Sequence, residues 1–328
     1  MRACVLGTGA VGGHIAARLA AGGADVSAIA RGPVLEALRS SGLRVTAGDW
    51  SFEGRLAAVE SDPARLGPQD VVFVTVKAPS LPEIAAGLAS LLDPETIVVF
   101  VTNGIPWWYF GGEKSELSKM LGARLDPDGA LAATVGHDRV VGSLIYSACS
   151  VETPGLVRVH SKVNRIIMGM ADDSGNSRLQ VVADILSAGG FDVDVTQQIR
   201  KPVWEKLVVN LGSGLPSVLT QRALGHIYSD PEAAELVRGI SEEVASIARA
   251  MGENVHSRAE SRISYGRTSP HRMSMLQDLD AGRPMEIDAL CVLPLEIARH
   301  FGLDVPLLSA LVPLMRLRAQ EAGLYPAS

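Results

Sequence analysis

Residues 3–13 read Ala3-Cys4-Val5-Leu6-Gly7-Thr8-Gly9-Ala10-Val11-Gly12-Gly13, an apolar strand that runs without a break into a glycine-rich turn. Gly7, Gly9 and Gly12 have the G-x-G-x-x-G spacing. In such a turn each glycine has its own task. Gly7 permits the tight bend, Gly9 lets backbone come close to a phosphate, and Gly12 lets the next helix lie near the strand while its N-terminal N–H groups face an anion. The spacing alone is a weak signal in a chain with 33 glycines, and the residues that follow supply the context. Ile15 and Leu19, with the small Ala16, Ala17, Ala20 and Ala21, predict a close-packing helix ended by Gly22-Gly23, and Asp25 to Ala30 predicts a second strand. A strand, turn, helix and strand of about 30 residues form one mononucleotide-binding half of a doubly wound α/β fold. Gly7, Thr8, Gly9, Ala10, Val11 and Gly12 are therefore the candidate dinucleotide contacts.

The end of the second strand bears on which dinucleotide is bound. An NAD site places Asp or Glu there for the ribose 2′-hydroxyl, whereas an NADP site removes the carboxylate and offers arginine to the 2′-phosphate. This strand ends Ile29-Ala30-Arg31-Gly32, and its only acid, Asp25, lies at its start. Arg31 is placed for a bidentate phosphate contact, so NADPH is expected over NADH.

At 328 residues, 47% hydrophobic and 20% charged, the chain is long enough for two packed domains. A net charge of −6 argues against nucleic acid or an anionic membrane as partner. Cys4, Cys149 and Cys291 are odd in number and widely separated, which speaks against a disulfide framework or a zinc site, and no metal is expected. No run reaches the roughly 18 apolar residues of a membrane span, and the N-terminal apolar stretch carries the nucleotide turn itself. A cytoplasmic location is the expectation.

The α/β rhythm continues. Leu43 to Val45 and Leu56 to Val59 predict short strands, Asp70 to Val76 is a continuous apolar run ending in Lys77, Leu81 to Leu92 predicts a helix, and Thr96 to Thr102 is a second buried run ending in Asn103-Gly104. Ligands of open parallel sheets bind beyond the carboxyl ends of strands, which makes Lys77 and Asn103 candidates. Extended, antiparallel-looking segments fill Val141 to Met170, followed by a helix over Leu179 to Ala188 and a last strand over Phe191 to Val195. After residue 196 only helical patterns occur, over Val203 to Leu219, Pro231 to Met251, Pro270 to Asp280, Met285 to Phe301 and Leu307 to Ala322. The predicted architecture is an N-terminal Rossmann-type doubly wound domain over 1–196, followed by an all-helical domain over 197–328. On the first of these helices Lys206 and Asn210 stand four residues apart and share a face among apolar neighbours. A lysine partly drawn out of water gives up its proton more readily, so Lys206 is a candidate proton donor.

Six short motifs occur in an order and spacing that resemble the ketopantoate (2-dehydropantoate) reductases: Gly7-x-Gly9-x-x-Gly12, Val76-Lys77-Ala78, Thr102-Asn103-Gly104, Trp204-x-Lys206-Leu207-x-x-Asn210, Ser274-Met275-Leu276-Gln277-Asp278 and Glu286-Ile287-Asp288. The resemblance covers nearly the whole chain. It implies an NADPH-dependent oxidoreductase that delivers hydride to the keto carbon of a 2-oxo acid, ketopantoate giving pantoate in pantothenate biosynthesis. It also implies Lys206 as general acid and Glu286 as the carboxylate that engages a substrate hydroxyl and helps hold the ammonium. Asn103 and Asn210 would position substrate and cofactor amide, and Ser274 would meet the substrate carboxylate.

The chain departs from the family in three places. Where many members carry a second asparagine one turn beyond Asn210, it has Gly214, and the usual asparagine-glycine after Glu286-Ile287-Asp288 is replaced by Cys291-Val292. Four aromatics, Trp107-Trp108-Tyr109-Phe110, follow Asn103 directly in a chain only 5% aromatic. They form either a lid or wall for a larger substrate, or the packing of a domain or homodimer contact. Two further readings stay open beside ketopantoate reduction: a reductase of a bulkier 2-oxo acid, and a catalytically idle NADP(H)-binding regulator. Retention of both Lys206 and Glu286 favours an enzyme.

Overall fold

The computed structural model of the chain describes residues 1–111, 113 and 115–326. The first elements in chain order are β1 (Arg2–Leu6), α1 (Ala10–Ala21), β2 (Asp25–Ile29), α2 (Gly32–Ser41), β3 (Leu43–Ala47), β4 (Trp50–Gly54), β5 (Ala58–Glu60), β6 (Val71–Val74), α3 (Leu81–Leu88) and β7 (Ile97–Val101). There follow α4 (Glu116–Leu125), α5 (Ala130–Val135), β8 (Val140–Tyr146), β9 (Cys149–Thr153), β10 (Leu156–Val159), β11 (Arg165–Met170), α6 (Ser177–Ala188) and β12 (Asp192–Val195). Helices alone occupy the remainder: α7 (Arg200–Thr220), α8 (Leu224–Ser229), α9 (Pro231–Ala250), α10 (Ala259–Gly266), α11 (Ser274–Asp280), α12 (Leu293–His300) and α13 (Pro306–Glu321).

Two compact units result. The first comprises residues 1–102, 110–113 and 126–199, the second residues 103–109, 114–125 and 200–328. The sequence predicts a single boundary after residue 196. In the structure the loop after β7 and helix α4 join the helical unit, because the loop's apolar side chains pack there.

The first unit is built on an eight-stranded sheet in the order β12-β11-β8-β7-β6-β1-β2-β5. Every neighbouring pair is parallel except β8 with β11. Continuous burial of Val71–Val74 and Ile97–Val101 explains their unbroken apolar runs, since strands covered on both faces have no side for polar residues. A second sheet, β4-β3-β10-β9, pairs β3 with β10 in parallel, with Val45 opposite Val157. The segment expected to be extended and antiparallel forms two antiparallel pairs, β8 with β11 in the large sheet and β9 with β10 in the second sheet. Helix α1 is buried over Gly12–Leu19. Gly13 lies so close to β10 that a Cβ there would come within 2.9 Å of Val157 Cγ2, which is why α1 needs small residues where the second sheet covers it.

One polar group in this layer carries a titration cost. His14 on α1 is fully buried beside Phe191, accepts a hydrogen bond from Arg18 Nε at 3.2 Å, and is pushed down to about 3 by burial first and by the Arg18 charge second. Arg18 lies 3.5 Å over the Trp50 ring and donates to the Gly189 carbonyl at 2.9 Å. The folded chain therefore holds His14 neutral, while the unfolded chain protonates it below about 6.5. Stability from this site is complete above that value and is lost as pH falls toward 3, with about 3 kcal/mol gone by pH 4. Urea midpoints of wild type and His14→Gln at pH 7 and pH 4 test this. The wild type is expected to lose more stability than the variant over that interval, and equal losses would assign the acid sensitivity to carboxylates instead.

The second unit packs around α7 and α9. Gly212 allows their approach, since a Cβ there would sit 2.2 Å from Ser241 Oγ. Helices α8 and α10 were not foreseen, and the helix expected from Pro270 begins only at Ser274. The helix expected from Met285 opens instead as a wide π turn over Asp288–Val292 before α12. Among the described residues no helix is long and apolar enough to cross a membrane.

Candidate active site

The glycine turn lies at the carboxyl edge of β1, between β6 and β2. Gly7 has φ +98°, a left-handed value that a side chain would strain, and a Cβ there would meet Val76 Cγ1 at 2.7 Å. A Cβ on Gly12 would stand 2.1 Å from the Gly7 carbonyl oxygen and 2.5 Å from Thr75 Oγ1. That hydroxyl donates to the Gly7 carbonyl at 2.6 Å and fixes the bend from below. Thr75 was not among the candidate residues. Its signal was a lone hydroxyl closing the apolar run that begins at Val71.

Gly9 differs from its neighbours: nothing lies within 4 Å of its would-be Cβ. It precedes α1 without a side-chain cap, so the N–H groups of the first helical turn are left for a ligand. Thr8 Oγ1 is buried and makes no hydrogen bond among the described residues. An open cradle, free helix N–H groups and a hydroxyl without an acceptor fit the pyrophosphate of a dinucleotide.

Along the same edge, Arg31 follows β2 in extended conformation and leads into α2, with its side chain exposed. Lys77 follows β6 and precedes a short helical turn over Ala78–Ser80. Because β6, β1 and β2 are neighbours, the structure brings Lys77, the glycine turn and Arg31 to one rim. Asp25 begins β2 and is therefore at the opposite rim.

The remaining candidates belong to the helical unit. Asn103 Nδ2 donates to Glu286 Oε2 at 3.3 Å, and Glu286 is buried with 6% exposure. Gly104 makes this pairing possible. Its φ is +77°, and a Cβ would fall 2.4 Å from the Ala289 carbonyl oxygen, the same oxygen that accepts the Ile105 N–H at 2.8 Å. The loop after β7 thus docks by backbone on the π turn that follows Glu286. Lys206 and Asn210 are half-buried on α7, between the fully packed Trp204, Leu207, Val208 and Leu211. Ser274 is the exposed first residue of α11.

The departures from the family pattern read differently in three dimensions. Gly214 does not open a void, because Met275 Cε stands 2.9 Å from its would-be Cβ and the Met275 side chain is itself buried. Cys291 is fully buried and its thiol is pushed up to about 12 by desolvation, so it packs and does not react. Trp107, Trp108 and Tyr109 are buried at 9%, 1% and 3% exposure. Tyr109 receives the Trp204 Nε1–H on its hydroxyl at 2.7 Å and Arg200 Nε–H on its carbonyl at 2.9 Å. Of the two readings of the aromatic run, packing is the one observed, and these three residues are core of the helical unit.

Comparisons with known proteins agree over nearly the full length. The family model described as ketopantoate reductase PanE/ApbA matches residues 3–173, and its C-terminal counterpart matches residues 198–319. A 2-dehydropantoate 2-reductase of Mesorhizobium japonicum is 37% identical over 328 residues, covering 99% of this chain and 100% of the relative. The crystal structure of a candidate ketopantoate reductase from Ralstonia solanacearum MolK2 superposes with a TM-score of 0.88 at 35% identity over 99% of both chains. The 2-dehydropantoate 2-reductase of Geobacter metallireducens GS-15 superposes with a TM-score of 0.84 at 25% identity, covering 97% of this chain and 99% of that one. With a glycine turn built for a dinucleotide in one unit, a buried Asn103–Glu286 pair in the other, and both family models matched in order, the chain belongs to the ketopantoate reductase family.

Proposed function

We propose that the chain reduces a 2-oxo acid to the 2-hydroxy acid with NADPH, and that ketopantoate is its substrate. The observation that carries this reading is the buried Glu286 carboxylate, held by Asn103 in the unit that also carries Lys206 and Asn210. A buried carboxylate is kept only where polar groups hold it, and one so held and aimed is a directional acceptor for a substrate hydroxyl. NADPH, when bound, supplies the hydride to the keto carbon. The residues do the rest. Lys206 places a cation and a proton at the oxygen where negative charge develops, which favours the transition state over the ground state. Glu286 accepts from the substrate hydroxyl, Asn103 and Asn210 fix the amide and carbonyl groups, and Ser274 donates to the carboxylate. Gly7 to Gly12 hold the pyrophosphate, with Lys77 beside it on the same rim.

A bulkier substrate loses its main support. Trp107, Trp108 and Tyr109 are buried, and the Met275 methyl occupies the place beside Gly214, which speaks against their enlarging a pocket. The direct test is NADPH oxidation with ketopantoate and with branched and aromatic 2-oxo acids, compared as kcat/KM. The expected result is ketopantoate ranking first. Tight NADPH binding without turnover on any of them would instead support the idle regulator.

Cofactor choice rests on Arg31. Arg31→Ala is expected to weaken NADPH roughly 10- to 100-fold, as befits a lost hydrogen-bonded charge, while leaving NADH within about twofold. Equal losses for both cofactors, measured by fluorescence titration, would remove Arg31 from the 2′-phosphate.

A further inference from the structure

We propose that Tyr325 and Asp288 are positioning residues that aim Glu286, a role that rests on the 2-oxo acid reduction proposed above. Glu286 stands two residues ahead of a π turn, with Ile287 between, and that geometry is one that α-helical propensity does not favour and that outside contacts must hold. The segment after α13 grips this turn on both sides of Glu286. The Leu324 carbonyl accepts the Met285 N–H at 3.1 Å, and the Tyr325 hydroxyl donates to Asp288 Oδ1 at 2.8 Å. Asp288 Oδ1 also accepts from Arg124 Nη1 at 3.2 Å, and Arg124 on α4 is anchored in turn by Glu296 on α12, with Nε donating at 2.9 Å. The loop after β7 completes the enclosure through Asn103 on Glu286 and Ile105 on Ala289. Three stretches far apart in sequence therefore converge on a segment of five residues around one buried carboxylate. Burial and the Asp288 contact push the Tyr325 phenol up to about 12, so it remains a donor over the working pH range.

None of these contacts is needed merely to cover apolar surface. Tyr325 and Asp288 are only half-buried, and a polar clamp at that depth adds little to global stability. What it changes is direction. A carboxylate displaced by about 1 Å from its substrate hydroxyl can cost about 100-fold in rate.

The test is Tyr325→Phe in the full chain, a substitution that removes one oxygen and keeps the ring. Native-state hydrogen exchange is expected to rise at least tenfold at the Met285 and Leu290 amides, with the α9 amides unchanged. With ketopantoate, kcat/KM is expected to fall roughly 10- to 100-fold, with the NADPH Kd within twofold of wild type. In a Glu286→Gln background the same substitution should cost less than about twofold, because there is no longer a carboxylate to aim. Unchanged exchange at residues 285–290, or a full kcat/KM loss repeated in the Glu286→Gln background, overturns the clamp. Exchange needs no turnover, so a wild type that reduces no 2-oxo acid defeats the functional reading while the exchange result still decides the clamp.

Discussion

Lys206→Ala is expected to lower kcat by about 10²- to 10⁴-fold, the range typical of losing a positioned general acid, with NADPH affinity almost unaltered. Lys206 is half-buried on α7, one helical turn before Asn210, in the helical unit, whereas the glycine turn and Arg31 belong to the other unit. The proposed partner of Lys206 is the substrate oxygen and not the pyrophosphate. An interaction made mainly with the developing oxyanion shows itself as equal losses in kcat and kcat/KM. Stopped-flow NADPH oxidation beside equilibrium cofactor titration separates the two. Near-normal kcat in Lys206→Ala would end the proposed mechanism, and a matching loss of NADPH affinity would mean that Lys206 serves the cofactor.

Two glycines of one motif are expected to fail in opposite ways. Gly12→Ala drives a Cβ to 2.1 Å from the Gly7 carbonyl oxygen, a backbone atom that cannot step aside without moving α1 off β1. About 3 kcal/mol or more of stability should be lost, together with cofactor binding. Gly9→Ala meets nothing within 4 Å and keeps an ordinary φ of −74°, so the folded chain should be as stable as wild type. Its methyl nevertheless projects into the space left for phosphate, and NADPH affinity should drop by roughly 100-fold, about 2.7 kcal/mol. Thermal unfolding of the cofactor-free proteins and NADPH titration give the four values. A stable Gly12→Ala, or a Gly9→Ala that binds NADPH normally, would show that the turn does not work as described.

The nucleotide turn and the central strands of the large sheet were legible because their signals are local. A glycine turn after an apolar strand, small residues on α1 and two unbroken apolar runs each declare their place within a dozen residues. The strand β4 escaped notice because Trp50-Ser51-Phe52-Glu53-Gly54 alternates over too few residues to stand out. Helices α2, α4, α5, α8 and α10 also went unread, each having too few turns for a periodicity to emerge. The parallel pairing of β3 with β10 and the departure of residues 103–109 from the unit that precedes them were beyond any local pattern. The same division applies to the site. Motif residues such as Asn103 and Glu286 were named separately, but their 3.3 Å contact, 183 positions apart, follows from the docking of Gly104 on Ala289. The aromatic run was conspicuous as composition and silent as to direction, since a tryptophan that walls a pocket and one that fills a core are written with the same letter.

The interrupted path of the helical unit has a consequence for how the protein is made. Tyr109 leaves the ribosome 95 residues ahead of Trp204, whose indole it will hold. At about 5 to 20 residues per second, that is a wait of roughly 5 to 20 s. During it, Trp107, Trp108 and Tyr109 have no interior to enter, although the strand that leads to them, β7, can already be seated between β6 and β8 once residue 146 has emerged. A fragment ending near residue 199 would lack the Trp204 partner of Tyr109 and leave these aromatics uncovered, so it is expected to aggregate on expression where the full chain does not.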